Sequence, residues 1–189
     1  ALPALAGQPK YVFYLIGDGL GASQRQISEL FLQEKTGNPS RKLMMNHFEV
    51  GGLNSTYAAS TLITDSAAAG TALASGIKTN KGVIGMDPSG KKVKTLIEEA
   101  EAHGMATGII TTTRLTHATP AAFASHNISR NNENEIAEDY VDSNVDFFAG
   151  GGIPHFIPRR MTVENADAIG KPIKSKRQDD RNLVTEFED

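Results

Sequence analysis

A chain of 189 residues with 39% hydrophobic content is long enough for one domain with its own core, and a formal net charge of −3 leaves no electrostatic footprint for nucleic acid. Cysteine is absent, which excludes a disulfide framework and a thiolate zinc site, and no run approaches the roughly 18 apolar residues of a membrane span. Any affinity for an anion has to come from local groups.

In chain order, residues 1–9 read as an extended tail. Ala1 to Gly7 is too short for a signal peptide, and a start without methionine points to processing. Tyr11 to Ile16 is an apolar run rich in aromatic and β-branched residues and predicts a buried parallel strand, followed by Gly17-Asp18-Gly19-Leu20-Gly21. Open α/β sheets place ligands just beyond strand C-termini, so Asp18 is a candidate for the edge of a site. The competing reading makes it a turn residue in a Gly-Asp-Gly loop. A helix is predicted over 22–33 and a strand near 49–54.

Thr64-Asp65-Ser66-Ala67-Ala68-Ala69-Gly70-Thr71-Ala72 sets an acid and a hydroxyl at the mouth of a small-residue helix predicted over 65–75. A helix N-terminus carries unpaired N–H groups and about half a positive charge, which favours an alkoxide or a bound phosphate; Ser66 is the nucleophile candidate. Equally, Asp65 or Ser66 can simply cap the helix. The next predicted elements are a long loop over 79–92, a helix over 93–103 stopped by Gly104, and a strand over 107–112.

Thr116-His117-Ala118-Thr119-Pro120 repeats the pattern of strand, loop and helix start, with Thr119 as the expected N-cap and Pro120 opening a helix to Ile128. His117 reads as a ligand or as a loop histidine. Arg130 stands ten residues past Pro120, and its planar two-pronged donor suits phosphate, although a lone arginine near a helix end is also an ordinary solvated cation. A helix over 134–142, a strand over 145–148 and a long loop over 153–173 follow. The basic stretch 171–181 reads as a solvated loop and helix face, and 180–189 as a helix with Leu183, Val184 and Phe187 on one side. Without internal repeats, this alternation predicts a single domain over 1–189: an α/β fold with a mostly parallel central sheet and helices on both faces.

Together these segments resemble the alkaline phosphatases in order and wording from Tyr11 to about Arg160. The resemblance includes Asp18, the Thr64 to Ala72 segment, Gly76-Ile77-Lys78-Thr79-Asn80, His117-Ala118-Thr119-Pro120-Ala121, Ser129-Arg130 and Asp146-Phe147-Phe148-Ala149-Gly150-Gly151-Gly152. It implies a three-layer sandwich, incomplete in this chain, and a phosphomonoester hydrolase with two zinc ions and one magnesium. On that carry-over Ser66 attacks phosphorus and becomes phosphoserine, and also ligates zinc. Arg130 grips two non-bridging oxygens while Asp65 orients Arg130 or the backbone of the motif. Asp18 bridges zinc and magnesium, and Thr119 gives magnesium its hydroxyl. His117 acts on the magnesium site through the neighbours of its ligands, weakens magnesium binding, and admits a zinc there instead.

The chain departs from that family in what it lacks. Its five histidines, His47, His103, His117, His126 and His155, include none in the Asp-x-x-x-His or Asp-His pairs that the family uses for zinc. The remaining ligands are expected downstream, and the chain is expected to be the N-terminal part of a longer enzyme. The resemblance also implies small phosphomonoester substrates, release of inorganic phosphate, a homodimer, and a periplasmic or secreted location, with no nucleic-acid or membrane partner. The alternatives are a catalytically incomplete phosphate- or metal-binding homologue, or a superfamily relative such as a sulfatase or phosphomutase. The Asp-Ser-Ala-Ala-Ala-Gly segment with Arg130 speaks against the last two.

Overall fold

The computed structural model describes residues 9–164 and 170–187. Residues 1–8 of the expected tail, part of the 153–173 loop and the last two residues of the expected C-terminal helix lie outside them. The chain divides into two units, one ending at Leu53 and the other beginning at Asn54.

The first unit holds helix α1 (Ala22–Thr36), which is longer than predicted and ends on Gly37 at φ 61°. The Gly37 and Asn38 N–H groups close back on the Glu34 and Gln33 carbonyls, 3.2 and 3.1 Å away, and so satisfy the last turn. The Glu29 carboxylate accepts from the Leu43 N–H at 3.0 Å and ties α1 to a single 3-10 turn, Met44–His47. The strand expected over 11–16 does not form: no ladder is assigned there, and Tyr11 to Leu15 are each 51% to 86% exposed. A strand's N–H and C=O groups must be met by another strand, and the described residues put none alongside. The strand expected over 49–54 is missing for the same reason, with Val50 and Leu53 exposed.

The second unit contains α2 (Ser66–Ser75), α3 (Leu96–Ala102), β1 (Gly108–Arg114), α4 (Ala118–Ala124), α5 (Glu133–Val141), β2 (Phe147–Gly151), β3 (Thr162–Val163), β4 (Ile173–Lys174) and α6 (Leu183–Glu186). Strands β1 and β2 are parallel, with Gly108 opposite Phe147 and Ile110 opposite Ala149. This is the parallel pair of an α/β fold; two of the four predicted strands build it. The 153–173 segment is not plain loop, because β3 and β4 pair antiparallel across it.

Alanines and one glycine make the core between α2 and α4. Ala67, Ala68, Ala74, Ala118, Ala121 and Ala122 are buried, and a Cβ on Gly70 would lie 3.0 Å from the Ala122 Cβ, so only a small-residue face lets the two helices approach this closely. Ile136, Ala137 and Tyr140 bury one face of α5, and the Tyr140 hydroxyl donates to the Leu115 carbonyl at 2.9 Å.

Several predicted helix ends shift. Helix α3 starts at Leu96, three residues after the expected Val93, because Thr95 and Glu98 form a reciprocal capping box. Helix α4 is capped by His117, correcting the assignment of that role to Thr119; Pro120 then sits third in the helix, where its missing N–H costs nothing because the first four N–H groups have no intrahelical partner. It also stops at Ala124 short of Ile128, since Asn127 exchanges both backbone hydrogen bonds with Ile84 at 2.9 Å. The C-terminal helix is confined to Leu183–Glu186. Arg177 corrects the reading of 171–181 as solvated: it is 2% exposed, and its guanidinium donates to Asp179, to Glu138 at 2.7 Å and to the His155 carbonyl at 3.2 Å.

Candidate active site

Asp65 sits in extended backbone just before α2, and its Oδ1 accepts from the Ala68 N–H at 3.1 Å, the hydrogen bond of an N-cap. That oxygen also accepts from the Gly82 N–H at 3.2 Å, while Oδ2 accepts from the Arg130 guanidinium at 3.1 Å. Capping and organising a cation are thus two uses of one carboxylate. Burial pushes the Asp65 carboxyl up, but the Ala68, Gly82 and Arg130 donors outweigh it and hold the group below the usual carboxylate range. Ser66 follows as the first residue of α2, half-buried at the positive end of a ten-residue helix.

Arg130 reaches this point from the far side of α4. Its backbone N–H donates to the Gly82 carbonyl at 2.8 Å, so the peptide groups of Gly82 join Asp65 on one side to Arg130 on the other. The Arg130 side chain keeps 28% of its surface and that of Asp65 13%, so the pair is only partly closed off from solvent.

At the head of α4, the His117 Nδ1 faces the Thr119 N–H at 3.4 Å and Nε2 faces the Arg130 guanidinium at 3.3 Å. A neutral imidazole has one lone pair, so one of these two donors at a time is satisfied. Thr119 lies in the first turn of α4, whose backbone packs 3.6 Å from where a Gly70 Cβ would stand. Asp65, Ser66, His117, Thr119 and Arg130 therefore share one unit. Asp18 belongs to the other, exposed in the turn that the Leu20 N–H closes onto the Gly17 carbonyl at 3.0 Å with Gly19 at φ 69°. Sequence reasoning missed Gly82, which carries no side chain to signal its role, and Glu133, whose contacts with Thr116 and Arg114 span 17 and 19 residues.

Among the described residues no group of three or more His, Asp or Glu side chains is disposed to hold a metal ion. Zinc in a catalytic site takes three protein ligands, so these residues alone do not fit two zinc ions. The Thr119 hydroxyl is a hard oxygen donor of the kind magnesium accepts.

The family model for alkaline phosphatase matches residues 9–189. Alkaline phosphatase 4 of Bacillus subtilis is 40% identical over 161 residues, covering 77% of this chain and 33% of its own length. The alkaline phosphatase of the Antarctic bacterium TAB5 superimposes with a TM-score of 0.70 at 32% identity, covering 87% of this chain and 42% of that one. A variant of that enzyme with a histidine changed to aspartate, described with Mg bound in its M3 site, gives 0.67 at 31% identity, covering 83% and 40%. This chain belongs to the alkaline phosphatase family. It spans about a third of the length of the curated relatives it matches.

Proposed function

We propose that the protein hydrolyses phosphomonoesters through a phosphoserine on Ser66. The observation that carries this reading is the Asp65–Arg130 pair: a carboxylate beside the nucleophile candidate holds a half-buried guanidinium at the N-terminus of α2, with donors left over for phosphate oxygens. Ser66 Oγ attacks phosphorus, the ester oxygen leaves as the alcohol, and water then cleaves the phosphoserine to inorganic phosphate. Arg130 takes non-bridging oxygens, and the first N–H groups of α2 face the same charge. Asp65 keeps Arg130 in register.

Two zinc ions and one magnesium belong to this reading, with Ser66, Asp18 and Thr119 as the ligands from this chain and His117 acting beside the magnesium site. Bound cations would supply neutralisation of phosphate charge. The Antarctic relative's variant with a histidine changed to aspartate, described with Mg bound, supports metal dependence. A periplasmic or secreted homodimer completes the proposal and rests on family resemblance.

The test is intact mass of the complete natural protein, incubated with zinc, magnesium and phosphate and quenched in acid. A single phosphoryl adduct mapping to Ser66 and absent from Ser66→Ala is expected, with loss of metal-dependent phosphatase activity in the same variant. Activity that survives Ser66→Ala removes Ser66 as nucleophile.

A further inference from the structure

We propose that Glu133 is a positioning residue for the phosphate grip: its carboxylate binds the turn that presents His117 to the start of the helix that follows Arg130, and so sets how those two side chains meet. For its catalytic consequence the proposal rests on the phosphomonoester reading above; its geometry stands apart from it.

Glu133 is the first residue of α5, three residues past Arg130. Its Oε2 accepts from the Thr116 hydroxyl at 2.7 Å and from Arg114 Nε at 2.5 Å, and its Oε1 accepts from Arg114 Nη2 at 3.1 Å. Residues 114 to 117 form the turn leaving β1, closed by the His117 N–H on the Arg114 carbonyl at 2.9 Å. One carboxylate therefore grips the first residue of that turn and the residue next to His117. Further along α5, Tyr140 holds the middle of the turn at the Leu115 carbonyl.

Thr116 is 0% exposed, so its hydroxyl has no solvent to replace Glu133 if the carboxylate is removed. Arg130 is meanwhile held from the opposite side, through its backbone N–H on Gly82. The 3.3 Å approach of Arg130 Nη2 to His117 Nε2 is thus the meeting point of two loops, and Glu133 is the side chain that reaches from one to the other. The bidentate geometry to Arg114 makes that link directional as well as charged. His155 Nε2 lies 3.2 Å from the same Glu133 oxygen, a contact that becomes an ion pair only when the imidazole is protonated.

The experiment uses the complete natural protein with Glu133→Ala, Glu133→Gln and Thr116→Val. Thr116→Val removes only the hydroxyl donor and stays informative if Glu133→Ala does not fold. The inhibition constant for inorganic phosphate is expected to rise about tenfold in Glu133→Ala and less in Thr116→Val. Glu133→Gln, which keeps an acceptor for Thr116, should recover most of the loss. Crystal structures of the variants should show His117 Nε2 and Arg130 Nη2 moved out of hydrogen-bond reach. A role confined to stability would lower the melting temperature and the active fraction while leaving the phosphate constant and that distance unchanged, and this result overturns the proposal. If the unmutated protein shows no phosphate inhibition, the enzymatic reading falls, and the distance alone decides on Glu133.

Discussion

Ile27 on α1 and Ile136 on α5 are the same residue in the same secondary structure, one 65% exposed and the other 0%. The contrast holds for their whole units. None of the described residues up to Leu53 is buried, whereas the unit from Asn54 contains every buried residue of the chain's described part. Helix α1 nevertheless forms, because a helix satisfies its backbone within its own segment and Gly37 finishes the last turn. The 11–16 run, with stronger apolar character, does not become a strand. Helices can be written locally; strands are written by their neighbours.

The sharpest test of that contrast is to delete the same atoms in both units. Ile136→Ala should lower stability of the chain by about 2–5 kcal/mol in urea unfolding, through lost burial and a residual cavity. Next in size, within the packed unit, Arg130→Ala leaves the part-buried Asp65 carboxylate without its cation and should cost about 1.5–3 kcal/mol of phosphate affinity, roughly ten- to a hundredfold in the inhibition constant. An unchanged constant takes Arg130 out of the site.

A smaller effect depends on pH. Burial holds the His155 imidazole below its ordinary range, against the pull of Glu133. The folded state then takes up its proton less readily than the unfolded chain, so stability is complete above an unfolded value of about 6.5 and falls as pH drops below it. His155→Gln should flatten that part of the profile, measured as urea midpoints at about pH 7.5 and 5.5; an equally steep profile assigns the slope to other groups. The smallest change is Ile27→Ala, where lost side-chain contact is slight and alanine is the better helix former, so a shift within about 0.5 kcal/mol is expected. A loss matching that of Ile136→Ala would show that α1 is packed after all.

The parts of the site that were legible in the sequence are those in which residue type and chemistry coincide. A serine and an acid ahead of a run of alanines announced α2, and a bidentate cation at Arg130 announced its partner. Strands β1 and β2 were legible because each found the other. The capping box at Thr95 and Glu98 was also written in the chain as Thr-x-x-Glu, and attention to it would have moved the start of α3 from Val93 to Leu96. By contrast, Pro120 misled, since any position in the first helical turn tolerates a missing N–H. Glu133 was illegible in principle: its partners are settled by the fold, and nothing local in Asn132-Glu133-Asn134 distinguishes it from a surface acid.

Gly82 carries a further lesson for how such a site can be probed. Its N–H serves Asp65 and its carbonyl serves Arg130, so beside their direct ion pair the Asp65 carboxylate and the Arg130 backbone are also joined through a single peptide segment. Contacts of that kind survive every side-chain replacement that leaves the chain path intact, and a systematic scan by alanine would credit the two ends and overlook the middle. Gly82 itself escapes this blindness, because it sits at φ 86°, where an added methyl group bends the path. A single carbon at that residue would pull apart two side chains that it never touches.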